Sequence, residues 1–422
     1  MTLTAAVPVP ESVVIIGAGM SGVSFGRLLQ LSGFTSFTIL EAEEEAGGLC
    51  RSQVVDGHTL DLAGGHFLCS RFPEVYEFIF RHLPESDFRV LARSSKVKLD
   101  GTYIDYPAEF NLWQLPSELR AAYERSLSGV AAARDTREAG NYEEWIRLRL
   151  GNRIAEEYML PYNMKIWGVD PSEMDVDWLH KVPKVDLEAV LESFREERAP
   201  PDVMPSHEKF YYPRGGGFQA IFDAIREPVR RHIRAGEQVR SLEQRSDKWV
   251  VNGSYEASVV VNTAPWPRLF DALGRPSVLR RSLPRLQSNG IVVSLWTERY
   301  EHDWHWVYDP DLRHEYHRKF FIGNFALDSR PDGVYTETNV KRWPGPDRVW
   351  SCGKKPLFEH VVETAYPIPV LGHSKAIRSV LDHYRSRCLY GLGRWGQWQY
   401  LNADVCILES MKLARSLGFE WV

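Results

Sequence analysis

The chain has 422 residues, 44% hydrophobic and 25% charged, with a net charge of -5 and a pI near 6.3. That length allows a large core and two or three domains, and the mildly acidic balance argues against a nucleic-acid binder. Five dispersed cysteines, Cys50, Cys69, Cys352, Cys388 and Cys406, form no CxxC pair, so no metal site is expected and a reducing cytoplasm is. The first residues, MTLTAAVPVPES, lack the basic and apolar regions of a signal peptide, and no apolar run is long enough for a membrane helix.

In chain order, Ser12–Ile16 reads as a buried parallel strand, apolar on both faces. Gly17, Gly19 and Gly22 follow at G-x-G-x-x-G spacing, and a helix is expected over residues 21–32. Its positive N-terminus would face a pyrophosphate. A second strand, Ser36–Leu40, ends at Glu41, nineteen residues past Gly22, where a carboxylate holds a ribose hydroxyl. Further on, LPSELRAAYERSL and YEEWIRLRLGNRIAEEYML show helical periodicity within residues 112–200. Gln238–Arg240 and Val259–Pro265 read as return strands of the first domain. Ala199–His207 and Arg330–Asp347 are proline-rich and read as loops. VCILESMKLARSLG closes the chain as a helix.

The segment EEEAGGLCR, with Gly48 and Arg51, resembles the extended FAD fingerprint of the amine-oxidase-like flavoproteins. GRWGQWQYLNAD, with Gly393, Arg394 and Asn402, is similar to the second flavin contact of the same fold, and Val239 falls on a return strand. FAD is therefore the expected cofactor. In order along residues 12–415, GGHF, YNMKIWGVDPSEMDVDW, YPRGGG, WHWVYDPDLRHEYHRKFFIGN, AYPIPVL and GRWGQWQY resemble UDP-galactopyranose mutase, most closely its eukaryotic-type branch.

The resemblance implies an α/β fold. A Rossmann-like FAD-binding domain of GR2 type is assembled from residues 1–90, 205–275 and 375–422. A helical domain occupies 112–200, and an antiparallel-sheet substrate domain 91–111 and 276–374. The implied reaction interconverts the pyranose and furanose forms of a nucleotide-linked hexose, by default UDP-galactose, through attack of the reduced flavin N5 on the anomeric carbon. NADPH or another reductant is implied, as is a homo-oligomer, with no membrane or nucleic-acid partner.

By the same resemblance, Arg318, Tyr366 and Tyr400 clamp the diphosphate, and His66 lies beside the flavin edge. The second clamp arginine is replaced here. Its place falls on His180 or Lys181, with Lys181 preferred and Lys184 next, and lysine brings charge without a planar fork. Tyr106, Trp306 and Tyr308 match positions near the base, Asn163 and Trp167 positions beside the sugar, and Asn324 ends the same substrate segment. Glu109 falls where the relatives carry an amide. As a carboxylate it would suit guanine or cytosine better than uracil, or it turns to solvent. Two other readings compete: an oxidoreductase of the amine-oxidase or protoporphyrinogen-oxidase type, and a flavin-binding scaffold without catalysis.

Overall fold

Val13–Ile16 has no polar position, and it forms the middle of a five-stranded parallel sheet, buried on both faces. The computed structural model describes residues 9–133, 137–179, 186–200, 208–346 and 348–421. The sheet order is Leu389–Gly391, Val259–Asn262, Val13–Ile16, Phe37–Leu40, Ile233–Arg234. The helix Met20–Leu31 begins one residue earlier than expected and packs on the C-terminal helix Ala403–Ser416. Val23, Leu28, Ile407 and Met411 from this pair join Val13 and Ile15 in one core. Gln238–Arg240 is not a strand. The return strand is the short Ile233–Arg234, and Val239 follows it in an extended loop.

The second layer is a seven-stranded sheet. Its order is Phe358–Pro367, Ser288–Thr297, Gly333–Asn339, Arg318–Phe321, Trp306–Tyr308, Ser95–Leu99, Thr102–Asp105. The expected antiparallel sheet is in fact mixed, because Trp306–Tyr308 runs parallel to Ser95–Leu99. A larger correction concerns residues 330–347. The expected loop contains Gly333–Asn339, a strand buried at all seven positions near the sheet centre. Its GVYTETN sequence carries the alternation of β-branched and aromatic residues that favours a strand, and the prolines lie outside it.

Helices cover one end of this sheet. Ser117–Ala133 packs on Tyr142–Ile154, which Asn141 caps by accepting from the Glu144 N–H at 2.9 Å. One π turn, Ala155–Met159, leads into Leu160–Trp167, which Gly168 ends in the left-handed region. The helix Ser277–Ser282 packs on His373–Arg385, so it belongs with the Rossmann core and not with the seven-stranded sheet. Among the described residues no helix is long and apolar enough to cross a membrane.

Candidate active site

The first part of the site is a nucleotide cradle at the C-terminal ends of the parallel strands. It encloses about 590 Å³, lined by Gly17, Gly19, Glu41, Gly48, Arg51, His66, Val239 and Arg394 among others. The turn works through close approach: a Cβ on Gly22 would overlap the Gly17 carbonyl, and Gly17 has φ +98°. Gly22 itself does not line the cavity. Glu41 accepts from the Ala18 N–H at 2.7 Å and the Glu43 N–H at 3.0 Å, which fixes its carboxylate at the cavity rim. Arg51 lines the cavity with a buried Nε that has no partner among the described residues. Such a donor, facing a glycine turn and a helix N-terminus, fits a phosphate-bearing cofactor.

At the far end of the cradle, Arg394 donates to the Leu401 carbonyl at 2.9 and 2.7 Å and to the Ala365 carbonyl at 3.0 Å. Gly393 and Asn402 do not line the cavity. Gly393 lets its turn pack on Ser21, and Asn402 is the N-cap of the last helix, with no side-chain capping bond. Their roles are in shaping the backbone, with Ala403 and Arg394 forming the wall.

The second part is a row of side chains across the seven-stranded sheet. Register pairs Tyr308 with Arg318 and Arg318 with Glu337, so three consecutive strands bring these residues side by side on one face. Glu337 is fully buried. Its Oε2 lies 2.7 Å from Arg318 Nη2, and its Oε1 accepts from Tyr366 and lies 3.3 Å from His317 Nε2. Burial alone would raise the Glu337 pKa, but the Arg318 guanidinium together with the hydrogen bonds from His317 and Tyr366 outweighs it and holds the carboxyl well below the usual range. Arg318 keeps a buried Nε without a partner among the described residues.

Sequence reasoning missed Glu337 because it assigned strand 333–339 to a loop. Tyr366 donates its hydroxyl proton to Glu337. Gly64 belongs to this arrangement as well, since a Cβ there would overlap the Glu337 carboxylate. His66 follows, its Nδ1–H donating to the Gly64 carbonyl at 2.9 Å, which leaves Nε2 as an acceptor when the ring is neutral. Burial, then Arg394, lowers its pKa to about 4.

Aromatic side chains complete the wall. Trp167, Tyr366 and Tyr400 meet edge to face, with centroids 5.2–6.1 Å apart. Arg394 lies over Tyr366 and Tyr400 at 5.6 and 5.4 Å. Asn163 and Trp167 share one helix face as expected. Asn163, however, accepts from Trp167 Nε1 at 3.1 Å and donates to the Met159 carbonyl at 2.7 Å, so it fixes the indole. On the other side Tyr106 and Tyr308 lie 5.0 Å apart, and Arg93, a residue sequence reasoning missed, lies over Tyr106 at 4.1 Å and over Trp306 at 4.9 Å. It also donates to the Tyr308 hydroxyl at 3.0 Å.

Asn324 donates its amide N–H groups to the carbonyls of His302 and Trp304 at 3.0 and 2.7 Å, which pins that loop. One expectation is corrected here. Glu109 is not at the surface: it is 5% exposed, next to Tyr106. Lys181, His180 and Lys184 lie outside the described residues. A larger cavity of about 1090 Å³ lies on the opposite face of the sheet, lined by Lys319 and Thr336, the neighbours of Arg318 and Glu337. None of the expected site residues lines it.

Residues 15–82 match the family model of the NAD(P)-binding Rossmann-like domain. A crystal structure of reduced UDP-galactopyranose mutase aligns with a TM-score of 0.85 at 23% identity, over 97% of this chain and 96% of that one. A protein from Exiguobacterium sp. 255-15, provisionally assigned as a protoporphyrinogen oxidase, aligns with a TM-score of 0.74 at 15% identity, over 97% and 99%. Protein FLOWERING LOCUS D of Arabidopsis thaliana is 25% identical over 263 residues, 60% of this chain. The match covers only 31% of that relative's own length. On this evidence the chain has the fold of UDP-galactopyranose mutase, built on an NAD(P)-binding Rossmann-like domain.

Proposed function

We propose that the chain is an FAD-dependent nucleotide-sugar mutase, an isomerase that interconverts the pyranose and furanose forms of an NDP-hexose, with UDP-galactose as the first substrate to test. The observation that carries this reading is Arg318. It is a cation locked to a buried carboxylate, with an unpartnered Nε, on the same wall as Tyr366 and Tyr400. A leaving diphosphate needs a fixed cationic donor. An amine or an apolar ring gains nothing from one.

The cradle holds FAD through Gly17, Gly19, Glu41, Gly48 and Arg51 on the nucleotide side and Val239 and Arg394 farther along. When bound and reduced, the flavin supplies the nucleophile for the anomeric carbon. The chain's own residues do the rest. Arg318 holds the diphosphate and stabilises its charge as it departs. Glu337 fixes the Arg318 fork, so no reorganisation is needed at that moment. Trp167, pinned by Asn163, gives the sugar a flat wall. His66 is neutral above its pKa of about 4 and presents an acceptor at the flavin side.

The test is an anaerobic reaction of dithionite-reduced protein with UDP-, GDP-, CDP- and dTDP-sugars, followed by chromatography. Furanose formed only by reduced protein is the expected result. Protein that forms none, but consumes oxygen with an amine or a cyclic substrate, would move the reading to an oxidase, which the fold shared with the Exiguobacterium protein also accommodates.

A further inference from the structure

Lys165 is a buried cation with no part in the reaction proposed above. It sits between Asn163 and Trp167 on the helix Leu160–Trp167, with 0% exposure. Its Nζ donates to the Asp309 carbonyl at 2.8 Å and to the Asp311 carbonyl at 2.7 Å. The buried Asp309 carboxylate lies 3.9 Å from the same nitrogen and also meets the His314 ring at 2.9 Å. Taking an ammonium out of water is costly, and here two carbonyls and a carboxylate offset that cost. Burial lowers the Lys165 pKa to about 8 against the pull of Asp309, so the group is a cation at neutral pH.

What Lys165 grips is the turn of one hairpin. Trp306–Tyr308 and Arg318–Phe321 pair antiparallel, and residues 309–317 join them. The Asp309 N–H donates to the His317 carbonyl at 2.9 Å, so the turn closes directly beside the register pair Tyr308 and Arg318. A second grip holds the C-terminal end of the helix. The buried amides of Asn339 and Asn289 donate to the Ile166 carbonyl at 2.8 and 2.6 Å. Asn339 ends the strand that carries Glu337. The helix bearing Trp167 is thus tied to both strands of the Arg318–Glu337 pair, and Lys165 is its tie to the Arg318 hairpin.

We infer that Lys165 is a positioning residue: it sets the gap between Trp167, the flat wall for the sugar, and the Tyr308–Arg318 pair that faces the diphosphate. This step rests on the nucleotide-sugar reading above. A nucleoside diphosphate held on Arg318 does not span that gap, whereas its sugar conjugate does. Lys165 therefore acts on the alignment of the sugar and not on the hold on the nucleotide. A shift of the hairpin against the helix misplaces the anomeric carbon while every residue that touches the substrate is still present.

The test compares FAD-loaded wild type with Lys165→Met and Lys165→Arg. Each is titrated calorimetrically with UDP, and each is reduced with dithionite without oxygen and assayed for furanose formed from saturating UDP-galactopyranose. Lys165→Met has a similar length without the charge, and it should keep its flavin because Asn289 and Asn339 still hold the helix. Its UDP affinity should stay within about threefold of wild type while turnover falls by on the order of tenfold to a hundredfold. Lys165→Arg keeps the charge on a longer side chain and should show the same split to a smaller degree. Wild-type turnover in Lys165→Met overturns the inference, as does a loss of UDP affinity as large as the loss of turnover, which general loosening of the fold would give. Should Lys165→Met lose its flavin, Lys165→Arg decides by the same split. Wild type that binds no nucleotide would overturn the nucleotide-sugar reading, and this inference with it; nucleotide binding without the split overturns this inference alone.

Discussion

Glu337 and Glu109 are both buried carboxyls, and their surroundings push their pKa values in opposite directions. Glu337 has Arg318 at 2.7 Å and stays ionised. Glu109 has no ion pair among the described residues, and burial raises its pKa. The difference teaches that burial alone does not decide what a carboxyl does in a site. The partner decides.

Substitution should separate the two most clearly at Glu337. Glu337→Leu strands the Arg318 charge and should destabilise the protein by about 3–5 kcal/mol, read from urea unfolding. The double variant Arg318→Met/Glu337→Leu should recover most of that loss while nucleotide binding stays absent. If the single variant unfolds like wild type, the two carboxyls do not differ in this way. In the cradle, Gly22→Ala pushes a methyl into the Gly17 carbonyl and should cost about 1–3 kcal/mol. The purified protein should carry less flavin, read from its visible spectrum.

Glu109→Leu gives the counterpart to Glu337→Leu. A buried carboxyl whose pKa is raised by burial, replaced by an apolar side chain of similar size, should change stability by less than about 1.5 kcal/mol. A loss as large as that of Glu337→Leu would mean that Glu109 is held as an ion. The smallest effect concerns His66, whose folded pKa of about 4 lies below the ordinary 6.5. The unfolded chain binds more protons between those values, so this contribution to stability is complete above pH 6.5 and is lost as pH falls towards 4. His66→Gln should flatten the stability profile in that window.

Much of the cradle was legible in the sequence because it is local and uses backbone. Gly17, Gly19, Glu41, Gly48 and Arg51 lie within 35 residues, and each is set by a turn or a strand end. The charge row was half legible. Arg318 stood out, but Glu337 is brought to it by strand pairing across nineteen residues, and the prolines flanking 333–339 hid that strand. Asn324 and Asn163 were legible as polar residues in the right segments, but not as groups already engaged by backbone or neighbour. The raised pKa of Glu109 depends on its burial by the tertiary fold, which spacing along the chain does not encode.

The most direct test of the mutase reading counts product per reducing equivalent. Protein reduced once with a stoichiometric amount of dithionite, without oxygen, is mixed with excess UDP-galactopyranose, and furanose is followed over time. The account predicts many furanose molecules for each reduced flavin, and none from oxidised protein, because the reaction has no net redox change. Product capped at one molecule per electron pair, or formed equally by oxidised protein, would contradict it.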